Sequence, residues 1–378
     1  MATFQVETMR IRLALAVKTG SAILAMMTLL AGCSGEEGNP VGQEKTSTQA
    51  GKPAALPEFA TLNLYSPTSP FNQKIAANAE IDPNSQMLVQ SLLDAGDMVI
   101  QIGQYSSTVF FATDTTPRHD VKLECGPAWE LGVTVMKDVP IPEWAEPAHD
   151  RDGAAPPVGC GEDADQDNHM VILDLTRRCE YDFWQARNVD GQWIASWGNS
   201  IKMDSDGVYP KGMSTRGSGF AFLGGVIWPD ELKKGEIRHA LAFSYPFPKA
   251  GGPVSPATSS DGTSDRADAI PEGARLQLNP ELNLDELNLA PYEKVIARAL
   301  QEYGMFLVDH GGESGIGLYA IDPASVSGNP YEGLLPEGDY VPLPNIPVQE
   351  FRVLKMAPQD SNWQQRLGLV ASGCAEFQ

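Results

Sequence analysis

The chain carries 27 lysines and arginines against 49 aspartates and glutamates over 378 residues, a formal charge of −22. A field of that sign repels nucleic acid and anionic headgroups and attracts divalent cations, which excludes a nucleic-acid partner. Hydrophobic residues make up 42% of the chain, enough for a large core, but 36 glycines and 29 prolines cut it into short elements.

The first element is N-terminal. Arg10, Arg12 and Lys18 precede an apolar run from Ser21 to Leu30, which closes on Ala31-Gly32-Cys33. The run is too short to cross a hydrocarbon core of ~30 Å as a helix. A basic start, a short apolar stretch and small residues before the cut make an export signal, and this one resembles the signal of bacterial lipoproteins. The resemblance implies that residues 1–32 are removed, that Cys33 carries lipid, and that the lipid anchors the protein in the membrane of the cell envelope. Ser34 stands where inner-membrane lipoproteins often carry aspartate, which points to the outer membrane. Residues 33–57 are small, polar and rich in Pro and Gly, and read as a flexible tether. Residues 58–378 are then a single domain.

Along that domain, two segments have helical spacing. Asn84 to Ala95 places Met87, Leu88, Leu92 and Leu93 together, and Pro291 to Tyr303 opens on a first-turn proline and stops at Gly304. The other apolar runs are short and strand-like, among them Met98–Ile102, Thr108–Ala112, Met170–Leu173, Gln192–Trp197, Ile237–Tyr245, Ala274–Leu278 and Met305–Val308. Many strands with few helices and no blade-length repeat predict a mainly β fold, a β-sandwich or jelly roll with a few peripheral helices. The polar stretch Lys249–Ile270 is either a linker or a loop over a cleft.

With Cys33 assigned to lipid, Cys125, Cys160, Cys179 and Cys374 remain. Four cysteines in an exported chain imply two disulfides in one of three pairings, of which Cys160–Cys179 is slightly preferred because it would close the acidic segment.

That segment holds the sharpest local pattern. Asp163, Asp165, Asp167 and Asp174 occupy the first, third, fifth and twelfth positions of a D-x-D-x-D calcium loop, so Ca2+ is the one cofactor the sequence suggests. Asn168 replaces the usual glycine and Asp174 the usual glutamate, and a solvated acidic loop leading into a strand is the competing reading. Strand alternation groups His169 with Val171, Leu173 and Leu175, and His239 with Ile237, Leu241 and Phe243. Each imidazole is either a hydrogen-bonded core group or a proton shuttle facing a cleft. Asp309 leaves an apolar strand just before His310-Gly311-Gly312, and Asp261 lies in the long polar loop; both suit acid–base work. Trp184 and Trp197 are the indoles best placed to stack on sugar rings, with Arg216 and His310 as further binding groups. Arg216 opens a glycine-rich stretch that lacks the Gly-Lys-Ser/Thr of a phosphate loop.

Ser69–Asn72, Asp167–Asp174, Ile237–Phe243, Gly273–Leu278 and Ala299–Gly312 together resemble secreted bacterial proteins; the resemblance implies one family-length domain and transfers no activity. The sequence therefore leads to a surface or periplasmic lipoprotein that binds and cleaves a polysaccharide, as a glycosidase or a lyase, with His169, His239, Asp261 and Asp309 as catalytic candidates. The alternative is a surface lipoprotein that binds a glycan or a protein without chemistry. Catalysis requires those imidazoles and carboxylates to meet in one cleft.

Overall fold

Period-two burial along the strands sets the architecture. A computed structural model describes residues 51–150, 160, 166–312, 315–370 and 372–378; the segment expected to be an export signal, Cys33, Asp163 and Asp165 lie outside these described residues. In chain order they form α1 (Phe59–Leu62), α2 (Ser85–Ala95), β1 (Met98–Gln101), β2 (Ser107–Ala112), β3 (Arg118–Leu123), β4 (Val135–Pro140), β5 (His169–Asp174) and β6 (Cys179–Trp184). Next come β7 (Arg187–Val189), β8 (Gln192–Ala195), β9 (Trp197–Lys202), α3 (Pro229–Lys234), β10 (Leu241–Tyr245), β11 (Arg275–Leu278) and α4 (Pro291–Glu302). The chain closes with β12 (Met305–His310), β13 (Ile316–Tyr319), β14 (Tyr340–Pro342), β15 (Phe351–Val353) and β16 (Glu376–Phe377).

The fold is mainly β and sandwich-like, built on three sheets. A seven-stranded sheet runs β14-β1-β13-β10-β12-β11-β15, a four-stranded sheet β2-β5-β6-β9, and a five-stranded sheet β16-β4-β3-β8-β7. All three contain antiparallel pairs, and β1–β13, β10–β12, β2–β5 and β3–β8 are parallel. Side-chain alternation then layers the core. Leu241, Phe243, Met305 and Leu307 pack under α2 and α4 on one face of the large sheet. Ala242, Phe306 and Val308 point the other way, to meet Val109, Val171 and Leu173 of the small sheet. The far face of that sheet, Phe110, Met170, Ile172, Tyr181 and Phe183, packs on the five-stranded sheet. Both predicted helices are present, within one residue at each end.

Four expectations change. The preferred Cys160–Cys179 bridge does not form: Cys125 pairs with Cys160, and Cys179 with Cys374. The pairing is decided by which sheets stack, and local spacing carries no trace of it. Described residues 51–57 are not free tether, because the Pro53 carbonyl accepts the Ser327 N–H and Leu56 packs on the middle core layer. Gln192–Trp197 splits at Ser196 between two sheets. His239 sits before β10, not on it. Its Nε2 faces Glu231 Oε2 at 3.1 Å, its Nδ1 the Ala240 carbonyl at 2.9 Å, and the Phe59 ring covers it. It is a satisfied core imidazole and touches no part of the cleft described next.

Candidate active site

Where β5, β6 and β9 of the small sheet and β12 and β13 of the large one reach the same edge, the middle layer opens into a cleft of about 610 Å³. Eight residues singled out in the sequence line it: Asp167, His169, Trp184, Trp197, Arg216, Asp261, Asp309 and His310.

One wall is indole. Trp129 and Trp184 stack with ring centroids 6.4 Å apart and 19° between planes, and Trp197 lies 5.6 Å from Trp129. Trp197 is 1% exposed and belongs to the core, so it backs this wall and offers no free face. Trp129 takes its place, with its Nε1 donating to the carbonyl of disulfide-bonded Cys160 at 3.1 Å. Trp184 Nε1 donates to Asp167 Oδ1 at 3.0 Å. Indoles held by their N–H groups present flat apolar faces suited to sugar rings. A ring stacked on this wall would lose about 1 kcal/mol, roughly fivefold in affinity, in Trp129→Ala; calorimetric titration reads this directly, with the melting temperature measured alongside because Trp129 also packs on the core.

Asp167 is placed by its backbone. Its N–H and that of Asn168 both donate to Asp150 Oδ2, at 2.5 and 2.8 Å, and Asp150 Oδ1 accepts the Tyr105 N–H at 2.8 Å. Asn168 then turns through a left-handed conformation, φ 40°, into β5. Loss of solvation raises the Asp167 carboxyl above the ordinary aspartate range, against the lowering effect of the Trp184 N–H, and Asp261 in the same cleft adds to the rise. The calcium-loop reading fails here. Asp167 and Asp174 stand at opposite ends of β5, seven residues or about 23 Å apart along an extended chain. Asp174 is buried, caps the turn by accepting the Thr176 and Arg177 N–H groups, and pairs with Arg118 Nη2 at 3.2 Å. No ion can bridge the two.

A carboxylate cluster adjoins the cleft, which Asp261 and Asp309 line. Asp261, Glu272 and Asp309 bring one oxygen each within 4.8 Å of one another. A β-bulge aims Asp309. The β10–β12 register slips between Phe243 and Ser244, so Ser244 pairs with Asp309 after Phe243 pairs with Leu307. Without the extra residue Asp309 would share the face of Leu307 under the helices; with it, Asp309 follows Val308 to the cleft side. The Gly217 N–H donates to Asp309 Oδ1 at 3.2 Å. A side chain at Gly217 has no room, since its Cβ would lie 2.5 Å from Asp261 Cγ. The long polar stretch is thus a loop over the cleft, and it delivers Asp261 and Thr263. Burial, and then the charge of Asp261, push Glu272 and Asp309 well above the usual carboxylate range.

Arg216 makes the floor and is 2% exposed, not the open start of a turn. Its Nη1 donates to the Gly224 and Ala221 carbonyls, and its guanidinium lies 4.6 Å from the Phe222 ring centroid and 4.9 Å from that of Tyr319. Nε and Nη2 are sealed from solvent, so it is not a free arm for a substrate carboxylate. Behind it the small sheet turns Glu180 and Asp182 inward, where Tyr65 and Tyr209 donate to them at 2.7 and 3.3 Å. Burial and Glu180 beside it drive Asp182 far up, while Arg216 draws it down. Arg216 is the cation that makes this interior acid pair tolerable.

His169 is buried against Phe222, 4.3 Å between ring centroids, with Nδ1 3.3 Å from the Phe183 carbonyl. Burial lowers it to about 4, against the pull of Asp150. It is a neutral hydrogen-bonding wall at neutral pH and a poor proton shuttle. The linkage has a definite sign. The unfolded imidazole takes up a proton near pH 6.5 and the folded one only near 4, so the stability this group contributes is present above 6.5 and is lost as pH falls toward 4. His169→Gln should therefore flatten the fall of melting temperature between pH 6.5 and 4; identical slopes in both proteins would show the imidazole does not titrate as stated.

Trp129, Glu272 and Tyr319 went unmarked in the sequence. Glu272 follows the polar loop directly in Ile270-Pro271-Glu272-Gly273, a carboxylate among apolar and small residues, which is a usable signal. Trp129 and Tyr319 carry none. No protein-family model, no curated protein and no solved structure matches this chain, so the reading of the cleft rests on its own residues.

Proposed function

We propose that this protein cleaves a polysaccharide at the bacterial cell envelope, where lipid on Cys33 holds it. One observation carries the reading: indoles and carboxylates line a single cleft, and Asp167 is hydrogen-bonded to the indole on which a sugar would stack. A raised carboxyl beside a bound ring is suited to protonate the glycosidic oxygen. Asp167 gives its proton to the leaving oxygen as the bond to the anomeric carbon breaks. Water adds there, and the water's proton passes to solvent at the open mouth. Asp261 and Asp309 line the same cleft, and so does His310 at the end of β12.

Hydrolysis of a neutral glycan is favoured over uronate lysis. The cleft is lined by acids, and the guanidinium that lines it among the described residues is buried, with Nη1 bound to backbone carbonyls and Nε and Nη2 out of reach of solvent. The test is a panel of neutral and acidic glycans assayed for reducing-end release and for the absorbance of unsaturated products. Reducing ends without unsaturation are the expected outcome. Unsaturated products would replace hydrolysis by elimination, and binding without either signal would leave a glycan-binding lipoprotein.

A further inference from the structure

We infer that Asp261, Glu272 and Asp309 bind a divalent cation, Ca2+ by its chemistry, at the cleft that the indoles line. The inference deepens the proposed glycan site, since the ion would hold sugar hydroxyls there, and it moves the calcium expected from the sequence to a different set of residues.

Two segments distant in sequence build the cluster: the polar loop with the residues that follow it into β11, and the bulged end of β12. Oxygens on opposite sides of one calcium lie about 4.6–5.2 Å apart, from Ca–O distances of ~2.3–2.6 Å, and oxygens on adjacent sides lie closer. The mutual spacing here, within 4.8 Å, already fits that shell.

A second observation points the same way. Glu272 has no exposed surface; its Oε2 accepts the Asp261 N–H at 3.2 Å, and its Oε1 has no hydrogen-bond partner. A sealed, unpartnered oxygen on a carboxylate clustered with two more is costly unless a cation completes it. None of the three is ion-paired with lysine or arginine among the described residues. Thr215 Oγ1, also without a partner, lines the same cleft as a further hard oxygen. Asp261 is exposed and gives the ion a way in. All donors are oxygens, which suits calcium over the softer transition metals.

The experiment is titration of the whole protein, stripped with chelator, with CaCl2 by calorimetry and with Tb3+ by luminescence. Excitation of the cleft tryptophans should sensitise a terbium ion bound at the same cleft. One saturable site is expected in wild type and in the loop control Asp265→Asn. Affinity should fall more than tenfold in Glu272→Gln and in Asp309→Asn, with melting temperatures measured alongside. Absence of a saturable signal at millimolar Ca2+, or equal affinity in folded variants, overturns the inference. Cation binding without glycan cleavage would retain the metal site and remove the hydrolase, whereas cleavage indifferent to chelator in a protein that binds no cation would do the reverse.

Discussion

Asp167→Asn should lower kcat on the cleaved glycan by about 10²–10⁴-fold with KM nearly unchanged. The substitution keeps the shape of the side chain and an oxygen to accept the Trp184 N–H, so the indole wall stays in place. It removes only the ability to protonate a leaving group. The pH profile supplies an independent reading. The acid must be protonated to act, and its carboxyl is raised by burial, so kcat should fall as pH rises through that elevated value. The variant should lose this alkaline limb. Rates within twofold of wild type would show that another group donates the proton. A large rise in KM would show instead that Asp167 serves to bind.

Cys179→Ser with Cys374→Ser should lower the unfolding free energy by about 5 kcal/mol, and the melting temperature by roughly 10 °C. The bridge closes 195 residues of chain, and the entropy it removes from the unfolded state grows with the logarithm of that length. It also fixes structure directly. Cys374 lies just before β16, which completes the five-stranded sheet on β4, and the Cys374 carbonyl accepts the Tyr181 hydroxyl at 2.9 Å. Tyr181 and Cys179 belong to β6, whose other end carries Trp184. Denaturant unfolding of the double variant measures the effect. A loss below about 1 kcal/mol would mean that the unfolded chain is already compact without the link. Cys125–Cys160 closes a shorter loop of 35, so its removal should cost less stability and more glycan binding, because the Cys160 carbonyl holds Trp129.

Most elements and their faces are legible in the sequence. Alternation placed His169, Val171 and Leu173 on one side of a strand and Met170 and Ile172 on the other, and the two faces do enter different core layers. Apolar spacing located both long helices, because a helix that packs on one sheet must repeat its contacts every three to four residues. Composition marked Lys249–Ile270 as a stretch with no face to bury and left it open between a linker and a loop over a cleft; the structure makes it the loop.

Tertiary structure alone decided which groups meet. Asp309 would point under the helices by simple counting, and one inserted residue, visible only in the pairing of β10 with β12, turns it to the cleft. Asp163, Asp165, Asp167 and Asp174 look like a metal loop in line, yet β5 is extended, and extension carries Asp167 and Asp174 apart. His239 and His169 share one local signature, an imidazole among bulky apolar residues; only the position of Glu231 and of the cleft separates them. Local pattern fixes the direction of a side chain relative to its own strand. Long-range packing fixes what lies in front of it, and the chemistry of this cleft depends on the second.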